Sequence, residues 1–109
     1  MNERPAVLIL GGTAEAVALA EKASARFDVT YSLAGRTRAP ALPGDVATRS
    51  SGFGGAAALA RWIEQNDIHA VIDATHPFAD RIARHAAAAC TRTGIPRLKL
   101  VRPAWERQD

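Results

Sequence analysis

The densest group of chemically useful side chains lies in Ala70-Val71-Ile72-Asp73-Ala74-Thr75-His76-Pro77-Phe78-Ala79-Asp80. A short apolar run stops at an acid. A hydroxyl, an imidazole, a proline and an aromatic ring follow before a predicted helix. Imidazole titrates near neutrality, so His76 suits hydrogen bonding to a ligand or donation of a proton. The plainer alternative is that Thr75 and His76 cap the helix while Pro77 and Phe78 set its entry angle.

A second group is Gly11-Gly12-Thr13-Ala14-Glu15-Ala16. It follows an apolar run and opens a predicted helix. In that setting a tight glycine turn brings backbone N–H groups close to a phosphate, with the positive helix end behind them. Thr13 either caps the helix or gives its hydroxyl to a phosphate. The spacing is not the full G-x-G-x-x-G fingerprint, but Ala16 stands about where a small residue is needed for helix–strand packing.

The third group is Ser32-Leu33-Ala34-Gly35-Arg36-Thr37-Arg38. Dinucleotide folds that prefer NAD place an acid near this strand end, and those that prefer NADP place an arginine against the 2′-phosphate. No acid stands here, whereas Arg36 does, and guanidinium binds phosphate bidentately. The alternative is an ordinary solvated arginine. A further glycine-rich stretch, Gly52-Phe53-Gly54-Gly55, reads equally well as a ligand wall or as a flexible loop with Phe53 tucked into the core.

The elements that must position these groups are legible as patterns. Ala6 to Leu10 is a continuous apolar run between Pro5 and Gly11, as expected of a strand buried on both faces. Ala14 to Arg26 reads as a helix, with Val17, Leu19, Ala20 and Ala23 on its apolar side. Asp28 to Leu33 is β-rich, and residues 34 to 44 form a loop. Asp45 to Arg49 is a short third strand, reached by an extended crossover or forming an irregular edge. Ala56 to Asn66 is a helix with Leu59, Trp62 and Ile63 on one side. His69 to Asp73 is a fourth strand and Phe78 to Thr93 a third helix, closed by Gly94. The run Ala86 to Ala89 suits a helix lying close on a sheet. Arg97 to Val101 is a fifth strand.

Alternating strands and helices predict an α/β fold: a Rossmann-like, mostly parallel five-stranded sheet with helices on both faces. If strands one and four are neighbours, the first two groups face one crevice at the topological switch point. The polar tail "RPAWERQD", with its isolated Trp105, predicts that residues 1–109 are the first domain of a longer protein.

Composition narrows the function. Of 14 basic residues all but Lys22 and Lys99 are arginine, and they are scattered, with a net charge of only +3. Nucleic-acid binders carry a basic stripe, so no nucleic-acid partner is expected. No apolar run approaches the roughly 20 residues of a membrane span, so no membrane association is expected. The lone Cys90 makes no internal disulfide, which fits a reducing cytoplasm. His69, His85 and Cys90 lack metal-ligand spacing, so no metal is expected. There is no C-x-x-C, H-E-x-x-H or G-x-S-x-G, and no P-loop.

Taken in order, "LILGGTAEA", "SLAGRT", "GFGG" and "DATHPFA" resemble the precorrin-6A reductase family of cobalamin biosynthesis. The family's proteins are roughly twice as long, so the likeness covers an N-terminal half and implies a further C-terminal domain. It implies NADPH-dependent reduction of one double bond in a carboxylate-rich tetrapyrrole, precorrin-6A or its cobalt form. By position, Gly11, Gly12 and Thr13 would hold the coenzyme's phosphates. Gly35, Arg36 and Thr37 would meet the adenosine 2′-phosphate. Gly52, Phe53 and Gly54 would line the adenosine and ribose side. Thr75, His76 and Pro77 would lie near the nicotinamide. His76 and Phe78 would reach the macrocycle, and the proton would come from His76, the local acid–base side chain, or equally from a substrate carboxyl or water.

Two other classes compete with the reductase. One is a nucleotide-sensing Rossmann module without chemistry of its own. The other is an epimerase-like NADP enzyme, but the lone Tyr31 is not followed by the Tyr-x-x-x-Lys pair expected there.

Overall fold

In the structure, a computed structural model, residues 4–33, 42–50, 52–75 and 79–100 are described. Five strands, β1 (Ala6–Leu10), β2 (Asp28–Leu33), β3 (Ala47–Ser50), β4 (Ile68–Asp73) and β5 (Arg97–Lys99), form one sheet in the order β3-β2-β1-β4-β5. All four pairings are parallel. Strands β1 and β4 are therefore neighbours, with Leu10 opposite Asp73, and their C-terminal ends flank the point where the strand order reverses.

Three helices cover the sheet: α1 (Ala14–Ala23), α2 (Ala56–Gln65) and α3 (Asp80–Thr93). Side chains alternate across a strand, so β1 serves two cores at once. Val7 and Ile9 join Ala16 and Ala20 of α1, together with Val29, Tyr31 and Leu33 of β2. Leu8 and Leu10 join Leu59, Ala60 and Ile63 of α2, Val71 of β4, and Ala86, Ala89 and Cys90 of α3. Helices thus lie on both faces. A fully buried Leu such as Leu8 or Leu59 contributes about 1.5–3 kcal/mol relative to an exposed one. Ala16, Ala86 and Ala89 are completely buried, because only a small side chain lets a helix backbone approach the layer beneath it.

Several element ends differ from the sequence reading, each for a local reason. Helix α1 stops at Ala23 rather than Arg26. Its last carbonyl takes the N–H groups of both Arg26 and Phe27, and Asp28 N–H then joins the Pro5 carbonyl at 2.9 Å to enter the sheet. Strand β3 begins at Ala47 because Asp45, at φ 54°, belongs to the turn before it. It is a regular parallel edge strand, paired from Thr30–Ala47 to Leu33–Ser50. Helix α2 ends at Gln65, with Asn66 as its C-cap, and β4 gains Ile68. Helix α3 begins at Asp80, with Ala79 as its N-cap; it ends as expected, Gly94 N–H bonding the Cys90 carbonyl at 2.8 Å. The expected last residue of β5, Val101, and the tail with Trp105 lie outside the described residues.

Cys90 is buried in the α2–α3 core. Burial pushes its thiol up, partly opposed by the positive charge of Arg97. Among the described residues no helix is long and apolar enough to cross a membrane.

Candidate functional site at the switch point

The turn after β1 is built from below by β2. Gly11 N–H continues the ladder to the Ser32 carbonyl at 2.8 Å. Gly11 is buried against the Tyr31 ring, and a Cβ there would overlap that ring. Gly12 has φ 122°, a conformation that favours glycine, and a Cβ added to it would meet nothing within 4 Å. The turn is closed on its inner side and open on its outer side, which is the shape a close backbone approach to a ligand requires. Gly12 N–H is taken by the Tyr31 hydroxyl at 3.0 Å.

Thr13 settles one of the alternatives read from its type. It is the N-cap of α1: its hydroxyl oxygen accepts from Ala16 N–H at 3.0 Å and donates its single proton to the Ala74 carbonyl, also at 3.0 Å. A ligand phosphate would receive no proton from this hydroxyl while the bond to Ala74 stands. Among the described residues the N–H groups of Thr13 and Ala14 have no acceptor. Ala14 is exposed, and both residues sit at the positive end of α1.

The turn after β4 lies alongside. Ala74 N–H bonds the Leu10 carbonyl at 2.9 Å. Asp73 is 1 % exposed, yet it stays ionised, held below its ordinary value. Burial works against its charge. It is outweighed by hydrogen bonds from the Thr75 hydroxyl at 2.6 Å and the Thr75 N–H at 3.1 Å, and by Lys99 at 3.4 Å. Arg97 stands at 3.8 Å from the same carboxylate. Thr75 therefore does not cap α3, whose N-cap is Ala79. Its proton is committed to Asp73, so towards a ligand its oxygen accepts.

A cavity of about 790 Å³ opens between the loop after β3 and the start of α3. Gly52, Phe53 and Gly54 line one side, and Asp80, Arg81 and His85 the other. Gly11, Gly12, Thr13 and Thr75 do not line it. Phe53 is half-buried against the α2–α3 core and also borders the cavity. Its ring meets Trp62 edge-on at 5.4 Å, and the Arg49 guanidinium lies 3.9 Å from the ring centre, within cation–π range.

Of the residues named from sequence, then, Gly11, Gly12, Thr13 and Thr75 come together at the switch point, and Gly52, Phe53 and Gly54 form a separate wall. Gly35, Arg36, Thr37, His76, Pro77 and Phe78 lie outside the described residues. Tyr31, Asp73, Lys99 and Arg49 were not assigned site roles from sequence. The signal for Asp73 was an acid ending an apolar strand. For Tyr31 it was a polar aromatic set between Val29 and Leu33.

This arrangement defines a Rossmann-type α/β domain with two hydrogen-bonded turns at its switch point. Comparison with known proteins makes the assignment narrower. Residues 6–109 match the family model for precorrin-6x reductase CbiJ/CobK. The precorrin-6A reductase of Sinorhizobium sp is 50% identical over 105 residues, covering 94% of this chain and 40% of that protein. The cobalt-precorrin-6A reductase of Salmonella typhimurium is 33% identical over 108 residues, covering 94% and 39%. A solved CobK precorrin-6A reductase superposes with a TM-score of 0.87 at 41% identity, over 95% of this chain and 41% of that one. The chain belongs to the precorrin-6x reductase CbiJ/CobK family. It spans about 40% of the length of the curated relatives it matches.

Proposed function

We propose that residues 1–109 form the NADPH-binding domain of a cytoplasmic enzyme that reduces one double bond of precorrin-6A in cobalamin biosynthesis. The observation that carries this reading is the joined pair of turns at the switch point. Gly11 to Thr13 and Ala74 to Thr75 are bonded to each other, and two backbone N–H groups at the start of α1 have no acceptor among the described residues. That is the chemistry of a phosphate seat. The open space beside Gly12 leaves room for a phosphate to approach the backbone. Family membership supplies the reductase and the tetrapyrrole. The cobalt-free substrate is favoured, since the precorrin-6A enzyme is the nearer of the two relatives, 50% against 33% identical.

When bound, NADPH supplies a hydride. The protein's part is mainly to place the reacting carbons, which lowers the entropy cost of reaction. The N–H groups of Thr13 and Ala14 hold the pyrophosphate. Arg36 and Thr37, with Gly35 beside them, hold the 2′-phosphate that distinguishes NADPH from NADH. Thr75, its proton given to Asp73, offers lone pairs to an amide N–H such as that of the nicotinamide carboxamide. Pro77 borders the nicotinamide. Gly52, Phe53 and Gly54 wall the adenosine side. His76 and Phe78 meet the macrocycle, and His76 is the candidate proton donor.

The reading is tested by mixing the intact protein anaerobically with precorrin-6A and NADPH and following loss of the reduced-coenzyme absorbance. Oxidation that needs both reactants, faster with NADPH than with NADH, is the expected result. Binding of coenzyme with no turnover would instead fit a nucleotide-sensing module.

A further inference from the structure

Tyr31 is completely buried on the α1 face of β2, opposite Ile9. Its hydroxyl accepts from Gly12 N–H at 3.0 Å, but its own proton has no acceptor among the described residues. A buried O–H without a partner costs free energy. Here it sits under the glycine turn after β1, where the pyrophosphate is expected. Gly11 lies flat on the same ring, with no room for a side chain between them. The ring therefore supports the turn, and the hydroxyl fixes the orientation of the Gly12 peptide.

We propose that Tyr31 is a positioning residue for the coenzyme's pyrophosphate. By holding Gly12 N–H from beneath, it leaves the N–H groups of Thr13 and Ala14, rather than that of Gly12, as the donors presented to the phosphates. The proposal rests on the coenzyme-binding reading above. The glycine turn then acts as a shaped platform, not as a donor at its second glycine. The phosphate seat lies one residue further into α1, where the helix end adds its positive potential.

The test is Tyr31→Phe in the intact protein, which keeps the ring under Gly11 and removes the hydroxyl. Affinities are measured by calorimetry for NADP+, for ADP and for adenosine 2′-monophosphate, which has no pyrophosphate. A positioning role predicts that NADP+ and ADP weaken at least about tenfold, while adenosine 2′-monophosphate binds as before. Equal weakening of all three ligands, or of none, overturns the proposal and leaves Tyr31 as packing. Wild-type protein that binds adenosine 2′-monophosphate but neither pyrophosphate ligand overturns the coenzyme reading itself. Should the variant fail to fold, amide exchange on the wild type decides. Gly12 N–H should be protected before and after NADP+ is added, and the amides of Thr13 and Ala14 should gain protection. A Gly12 amide that is unprotected until coenzyme binds would contradict the assignment.

Discussion

The Thr13 hydroxyl donates to the Ala74 carbonyl at 3.0 Å and so ties the turn after β1 to the turn after β4. The same oxygen caps α1 through Ala16 N–H. One side chain thus both caps the helix and joins the two turns. Thr13→Ala should cost about 0.5–2 kcal/mol through the lost cap, with a further loss from the carbonyl of the buried Ala74. Thr13→Ser should recover most of it. Urea denaturation of the three proteins checks this, and equal stabilities would remove the hydroxyl from the account.

Gly11 has no space for a side chain above Tyr31. Gly11→Ala should destabilise the domain by roughly 1–3 kcal/mol, as overpacking does, since the buried ring has little freedom to withdraw. The same unfolding measurement applies. A neutral effect would mean that the turn lifts off the ring at little cost.

Asp73 carries the pH dependence. Its carboxyl is held below its ordinary value of 3.8 when folded, so it binds protons more readily in the unfolded chain. Its contribution to stability is present above that value and is lost as pH falls through the lower native value. Asp73→Asn should be less stable than wild type at neutral pH, and the difference should shrink below about pH 4. Thermal unfolding across that range checks it. A gap that stays constant or widens on acidification would contradict the assignment.

His76 follows the committed hydroxyl of Thr75 by one residue. If it delivers the proton, His76→Ala should lower turnover of precorrin-6A roughly 10²-fold or more while NADPH affinity is kept. Single-turnover kinetics beside calorimetry separates the two effects. An unaltered rate would assign the histidine to structure alone.

Sheet and helices were readable from sequence because strands covered on both faces must be apolar throughout. Ala6 to Leu10 is such a run, and the turn begins at Gly11, where the run stops. Small residues in helices marked close approach, as at Ala16 and Ala86. Helix and strand ends were less legible. They depend on caps and turns such as the pair of N–H groups closing on Ala23, which composition does not announce. The polar contacts beneath the crevice were hidden for a different reason. Tyr31 meets Gly12 across 19 residues and Lys99 meets Asp73 across 26, so no local pattern links them. Thr13 was recognised as important, but the carbonyl that takes its proton lies 61 residues away.

The central claim is that the crevice between β1 and β4 seats a pyrophosphate coenzyme on the first N–H groups of α1. A crystal structure of the intact protein with NADP+ tests it most directly. The account predicts pyrophosphate oxygens within about 2.7–3.2 Å of the Thr13 and Ala14 nitrogens. A coenzyme seated only in the cavity between residues 52–55 and α3, with the switch point untouched, would contradict it.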